Sequence, residues 1–205
     1  MNDLEIRQNF HRKRLRRQHT QKDTLVIDEL GLNHGKCRAD IAVVNGYLTG
    51  YEIKSNKDSL RRLEEQVKSY NAVFDKAFLI AGNRHINSIQ NYVPEWWGVI
   101  ESVRGRRGAV NFKITRKGRT NKNIDLLSIA QLLWRDEVIE ILQKNKVPNK
   151  ILRQPRTVLY ERLVETLNAC ELRKTIREYL KKRKNWRYHE SPFRYDGLCQ
   201  PGATS

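Results

Sequence analysis

Two carboxylates and a lysine lie in an otherwise largely apolar stretch of the chain, residues 40–54, which reads DIAVVNGYLTGYEIK. Asp40 begins this stretch, and Glu52 and Lys54 are at its end. Carboxylates that are held close together repel each other and lose hydration, unless a cation lies between them. Oxygen ligands without paired histidines or cysteines favour Mg²⁺ or Mn²⁺, and the carbonyl of Ile53 is available as a third ligand. Lys54 could then orient a water molecule or stabilise charge on a phosphate.

The same residues also fit a solvated hairpin face. An ion pair between Lys54 and either Asp40 or Glu52 would be ordinary there, and exposed pairs contribute only about 0–1 kcal/mol to stability. The spacing alone favours neither interpretation, because the hairpin register decides whether the two carboxylates meet.

Two hairpin registers are compatible with this stretch. A two-residue Asn45-Gly46 turn places Asp40 and Glu52 on opposite faces of the sheet. A three-residue loop over 44–46 sets Asp40 opposite Gly50, so that Asp40 and Glu52 share a face as diagonal neighbours about 7–8 Å apart at Cα. A bulge in the second strand restores the same parity.

Hydrophobic periodicity predicts the elements that position this hairpin. The expected strands are 25–30, 38–44, 47–54, 76–82, a strand within 94–103, and 110–116. An N-terminal helix should run from a cap at Asn2 or Asp3 to about Arg17, and a second helix should begin at a cap at Asp58. From residue 124 the pattern becomes helical, over 124–145, 156–169 and 171–183.

This order of elements predicts an α/β fold in which a mixed β-sheet is flanked by helices and followed by a helical C-terminal region. We expect a core domain over residues 1–120 and a helical region over 121–188, which either binds DNA or caps the core. A tail over 189–205 should follow.

Charge and composition restrict the partner class. The 205 residues include 40 Lys and Arg against 23 Asp and Glu, a formal charge of +17, which indicates a polyanionic partner, with nucleic acid first and anionic membrane second. No apolar stretch approaches the roughly 18–20 residues of a membrane helix, and the first residues lack the apolar centre of a secretory signal. Three widely separated cysteines match no metal or disulfide pattern and favour a reducing cytoplasm.

The carboxylates and the lysine also carry a family resemblance. Asp40, the apolar hairpin and Glu52-Ile53-Lys54 resemble the D…(D/E)-x-K signature of the PD-(D/E)XK nuclease superfamily, and the predicted elements of residues 2–82 are similar in order to its core. The segment 66–70, QVKSY, resembles the Q-x-x-x-Y motif of RecB-type members. The segments ELG, RADIAVVNG, GYEIKS and PEWWG are similar to a bacterial family of presumed nucleases in this superfamily. Ala39 replaces the proline of the signature, which makes the motif less specific.

The resemblance implies a restriction-endonuclease-like sheet and a nuclease that depends on Mg²⁺ or Mn²⁺. It implies that Asp40 and Glu52 hold the ion, with the Ile53 carbonyl available as the third ligand, and that Lys54 assists the attacking water. Glu29 matches the acidic residue that such enzymes place before the hairpin.

Gln66 and Tyr70 lie one helical turn apart, so both would reach the site or the DNA. Packing between helix and sheet is the alternative explanation for both residues.

Five basic residues surround a predicted hairpin tip at 104–108 and the linker after it: Arg104, Arg106, Arg107, Lys117 and Arg119. We expect them to contact phosphates, which sets affinity without selecting a sequence. An exposed basic loop with no partner is the alternative.

These observations favour a metal-dependent nuclease that hydrolyses phosphodiester bonds of DNA in the cytoplasm, with RNA open as a substrate and no membrane partner. A homodimer or a protein partner also stays open. The alternative function is a non-catalytic nucleic-acid-binding subunit of a DNA-repair or phage-defence complex that keeps a nuclease-like fold.

Overall fold

A computed structural model describes residues 1–183 and residue 186 of the chain. The predicted tail over 189–205 and part of the basic run at 181–187 lie outside these residues. The strands are β1 (Leu25–Leu32), β2 (Cys37–Val44), β3 (Leu48–Lys54), β4 (Lys76–Gly82), β5 (Gly98–Arg104) and β6 (Val110–Arg116). The helices are α1 (Asp3–Lys13), α2 (Arg16–Thr20), α3 (Leu63–Val73), α4 (Leu126–Ala130), α5 (Arg135–Lys144), α6 (Asn149–Leu152), α7 (Arg156–Thr166) and α8 (Ala169–Lys182).

The six strands form one mixed sheet in the order β1-β2-β3-β4-β5-β6. Strands β1, β2 and β3 are antiparallel neighbours, β3, β4 and β5 are parallel, and β6 returns antiparallel to β5. Helix α3 makes the crossover from β3 to β4 that a parallel pair requires. The predicted α/β class, with a mixed sheet, flanking helices and a helical C-terminal region, is confirmed.

Helices cover both faces of the sheet. Helix α1 buries Ile6 and Phe10, one turn apart, on the face that we call the α1 face. Helix α3 buries Leu63, Val67 and Tyr70 on the opposite face, the α3 face, where the C-terminal helices join the same apolar core. The sheet therefore lies between two hydrophobic layers that hold its strands in register.

The side chains of β1 and β2 stop alternating regularly between the two faces of the sheet at one level, where both strands exchange faces. Ile27 and Leu30 both pack on the α3 face although they are three positions apart, which regular alternation would place on opposite faces, and Glu29 between them has a φ of 57°. On β2, Ala39 packs on the α3 face whereas Ile41 packs on the α1 face, so the exchange there falls at Asp40. The register sets Glu29 across from Asp40. A left-handed glutamate costs about 1–2 kcal/mol, so its neighbours must hold it in place.

Strands β2 and β3 separate at the same level. Their pairing ends at Ile41 with Tyr51, while β2 continues beside β1 as far as Cys37 and β3 continues beside β4 as far as Lys54. We call this divergence the strand fork. Asp40 is the first β2 residue beyond the paired part, so the fork opens the sheet beside its side chain.

Three predicted helix boundaries are wrong. The first helix ends at Lys13 rather than near Arg17, and a separate helix begins at Arg16. The other two boundaries differ for a local reason. Helix α3 begins at Leu63, because the Asp58 carboxylate accepts a hydrogen bond from the Ser55 N–H (2.7 Å) and closes a turn instead. The single helix predicted over 124–145 is two helices, because the chain leaves the helix after α4 and restarts at Trp134, whose N–H donates to Glu137 (2.7 Å).

Among the described helices, none combines the length and the apolar character that crossing a bilayer requires.

A buried aspartate joins the C-terminal helices to the sheet. Asp75, the residue before β4, has no exposed surface and accepts a hydrogen bond from the Leu48 N–H (2.7 Å). Arg173 of α8 pairs with the same carboxylate, and Arg177 lies 3.9 Å from it. A second contact of α8 is on the surface, where Lys181 pairs with Asp23 (2.7 Å), whose side chain is 89% exposed.

These two acidic partners of α8 allow a matched test. Asp75→Ala should lower the free energy of unfolding by about 3 kcal/mol, because it leaves the Arg173 and Leu48 groups without their buried acceptor. Asp23→Ala should cost at most about 1 kcal/mol, because that pair is solvated. Denaturant unfolding followed by circular dichroism measures both, and equal small losses would contradict the role of Asp75.

Candidate active site

The strand fork brings Asp40 and Glu52 face to face. The hairpin loop is Asn45–Tyr47, so β2 pairs Val44 with Leu48, and the same register, continued one residue past its last pair, sets Asp40 across the fork from Glu52. This pairing differs from both predicted registers, because the loop takes in Tyr47 and leaves Val44 in the strand. Both side chains line the same cleft, and the charge of Glu52 raises the pKa of Asp40, so the two carboxylates are close enough to interact.

Three side chains of the same site hold the Glu52 carboxylate. Lys54 Nζ and Gln66 Nε2 each donate to Glu52 Oε1 at 2.5 Å, and the Tyr70 hydroxyl donates to Oε2 at 2.8 Å. Glu52 itself has no exposed surface. The structure therefore brings together Glu52, Lys54, Gln66 and Tyr70, and the two α3 residues reach the site as well as packing against the sheet.

Asp40 is fixed by the backbone on one side and by an arginine on the other. Its Oδ2 accepts from the Ile53 N–H at 2.6 Å, which satisfies a group that the fork leaves without a strand partner. Its Oδ1 accepts from Arg7 Nη2 at 3.2 Å, and its own carbonyl accepts from Arg7 Nη1 at 3.1 Å. The side chain of Asp40 remains 18% exposed, so one edge of the carboxylate faces solvent.

Arg7 of α1 is a residue of this site that the sequence analysis missed. Its guanidinium also pairs with Glu29 (2.6 Å) and Asp3 (3.2 Å), and its side chain is only 7% exposed. Arg7 thus binds the left-handed Glu29 and the fork residue Asp40 at once. Its position beside Ile6, on the side of α1 that becomes buried, was the available signal, but its partners are 22 and 33 residues away in the chain.

Electrostatics make the Asp40–Glu52 pair costly to ionise. Burial and then the charge of Glu52 raise the pKa of Asp40 well above its usual range, although the Ile53 N–H and Arg7 oppose the shift. Burial also raises the pKa of Glu52, against the effect of Lys54, Tyr70 and Gln66. Because both pKa values exceed those of the unfolded chain, ionisation destabilises the fold as the pH rises through them, and a bound cation would relieve this cost.

Two adjoining clefts open over these residues. One has a volume of about 620 Å³ and is lined by Asp40, Glu52, Ile53 and Lys54, together with residues of the loop before α3. The other, of about 640 Å³, is lined by Asp40 and Glu29 with residues of the β1–β2 connection. Both volumes are typical of ligand sites.

The donor set fits a hard divalent ion. In the part of the chain that the structure describes, no three His, Cys, Asp or Glu side chains are arranged to hold a metal, so the ion would depend on two carboxylates, the Ile53 carbonyl and water. Gln66 adds a further observation. Its Oε1 is buried without a hydrogen-bond partner among the described residues, which leaves one acceptor oxygen of the site unsatisfied by the protein.

The predicted basic cluster is divided in the structure. Arg104 is paired with Glu5 (2.8 Å), and Arg106 and Arg107 are exposed at the β5–β6 tip. Lys117 and Arg119 follow the opposite end of β6, a strand of seven residues and therefore roughly 20 Å away. The five residues do not form one patch, and those at the tip share the strand end at which Lys54 lies.

Arg7 and a divalent ion would compete for the same negative charge. Arg7→Ala should therefore lower the free energy of unfolding by about 3 kcal/mol without metal, because three carboxylates lose a buried cation. Mn²⁺ should then raise the melting temperature of this variant by more than that of the wild type. Arg12→Ala, an exposed arginine of the same helix, is the control, and an equal response to Mn²⁺ in all three proteins would contradict the competition.

Comparisons with known proteins agree on one family. The family described as bacteriophage P4 protein cII matches residues 4–192. Protein cII of Enterobacteria phage P4 is 30% identical over 169 residues, which cover 82% of this chain and 61% of that protein, so the chain spans less than two thirds of its relative's length. No solved structure matches the chain. The match over most of its length shows that the chain belongs to the bacteriophage P4 protein cII family.

Proposed function

We propose that this protein is a Mg²⁺- or Mn²⁺-dependent nuclease that hydrolyses phosphodiester bonds of DNA. The observation that carries the proposal is that Asp40 and Glu52 line one cleft at the strand fork, with Lys54 bonded to Glu52 at 2.5 Å. This arrangement agrees with the PD-(D/E)XK resemblance, in which the same three positions carry the chemistry. The formal charge of +17 supports a polyanionic substrate.

Each residue of the site has a defined task in this proposal. Asp40, Glu52 and the Ile53 carbonyl hold the ion, which when bound supplies positive charge at the scissile phosphate. Lys54 orients the attacking water and donates to a phosphate oxygen. Tyr70 keeps the Glu52 carboxylate in place through its 2.8 Å hydrogen bond, because burial and the Glu52 charge raise its pKa well above the usual range and keep it protonated.

A non-catalytic nucleic-acid-binding subunit is the second candidate, and one observation favours it. Each carboxylate already has a protein cation beside it, since Arg7 pairs with Asp40 and Lys54 pairs with Glu52. These contacts do not depend on a metal ion, so the cluster has a structural explanation without one. This candidate predicts salt-dependent binding of DNA without cleavage.

Cleavage of linear DNA separates the two candidates. Linear duplex and linear single-stranded DNA are incubated with Mg²⁺, Mn²⁺ or EDTA, and the products are resolved on denaturing gels. The wild type should cut at least one substrate with metal and none with EDTA. Asp40→Asn and Lys54→Met should each lower the cleavage rate by at least about 100-fold, because each removes a group that acts at the reacting phosphate.

Lys57→Ala is the matched control for lysine, because Lys57 is exposed on the loop that follows β3. It should cleave at the wild-type rate, and all variants should bind DNA within about threefold of the wild type, because loss of one phosphate contact has an effect of that size. Binding without cleavage in every metal would refute the nuclease and support the binding subunit. Normal cleavage by either site variant would refute the residue assignment.

A further inference from the structure

The two clefts lie on opposite sides of Asp40. Strand order places β1 and β3 on either side of β2, which carries Asp40. We call the cleft over the β1–β2 connection the β1-side cleft and the cleft beside the end of β3 the β3-side cleft. Asp40, Arg62, Glu65 and Gln66 line both clefts, so the two join over the candidate site as one groove.

Exposed cations line the groove on both sides of the site. Lys36 and Arg38 line the β1-side cleft, and Arg61 lines the β3-side cleft. Arg62 lies where the clefts meet. Within the described residues the charged ends of these four side chains make no hydrogen bond or ion pair, in contrast to Arg7 and Arg104. Unpaired cations in a groove are suited to consecutive phosphates of a nucleic-acid backbone.

Two acidic residues of the β3-side cleft are already engaged. Asp3 pairs with Arg7, and Asp58 accepts from the Ser55 N–H. Their charge is therefore partly satisfied from within the protein. Glu65 lines both clefts and is exposed, and its carboxylate makes no hydrogen bond or ion pair within the described residues, so it offsets one of the four groove cations and leaves the groove with an excess of positive charge.

We infer that the DNA strand passes through the site, with phosphates held on both sides of the cleavage point, and that the protein is an endonuclease. This inference rests on the proposed nuclease function. A strand that enters by the β1-side cleft and leaves by the β3-side cleft has no need of a free end. An enzyme that digests from an end needs phosphate contacts mainly on one side of the reacting bond.

DNA circles test the inference, because they have no ends. Covalently closed plasmid and circular single-stranded DNA are compared with linear DNA of the same sequence, in Mg²⁺ and in Mn²⁺. The protein should cut a circular form at a rate within about tenfold of its linear counterpart, since backbone contacts do not depend on an end. Intact circles beside linear DNA that shortens from its ends would overturn the inference and leave the nuclease proposal standing. Failure to cut any substrate would refute the nuclease proposal and this inference with it.

Charge removal on each side of the groove provides a second measurement. Raising the salt concentration from about 50 to about 200 mM weakens binding about threefold for each phosphate contact. Arg38→Ala and Arg61→Ala should each remove about one such contact. The same rise in salt should therefore weaken DNA binding by each variant about threefold less than it weakens binding by the wild type, and both variants should cut circles more slowly.

Lys144→Ala is the control for lost charge, because Lys144 already pairs with Glu140 of its own helix (2.5 Å), and it should leave both properties unchanged. Loss of one contact from only one of the two groove variants would contradict passage of the strand through both clefts.

Discussion

The repulsion between two carboxylates, one buried and one half-buried, is the constraint on which this site depends. Asp40 and Glu52 face each other across the strand fork, and burial together with their mutual charge raises the pKa of Asp40. The surrounding residues are arranged to make that pair tolerable. Lys54 and the α3 side chains hold Glu52, while Arg7 and the Ile53 N–H hold Asp40. A cluster whose charges need this much support in an open cleft is typical of a functional site rather than of a structural ion pair.

The backbone makes this meeting possible by two departures from regular strand geometry. The exchange of faces at Glu29 and Asp40 turns the outer part of the β1–β2 ribbon, and the fork opens the space into which Asp40 points. Arg7 connects the two departures, because it binds Glu29 and Asp40 from the α1 face while Glu52 is held from the α3 face. The site is therefore built where both layers of the protein meet through the sheet.

The sequence predicts much of this arrangement because much of it is local. Alternation and helical periodicity locate all six strands, and the short spacing of Glu52 and Lys54 places both on one face. The register of the β2–β3 hairpin could not be predicted from the sequence. A three-residue loop can begin at either Val44 or Asn45, and the local sequence favours neither. Arg7 was missed because its partners are distant in the chain, and neighbours in sequence such as Arg107 and Lys117 were grouped although a strand separates them.

Crystals grown with Mn²⁺ would test the central claim most directly, because anomalous scattering locates the ion without reference to activity. The account predicts a peak about 2.0–2.5 Å from carboxylate oxygens of Asp40 and Glu52 and from the carbonyl of Ile53, with Arg7 displaced from Asp40. A saturating Mn²⁺ concentration that leaves no peak between these carboxylates, with Arg7 and Lys54 still bound to them, would contradict it.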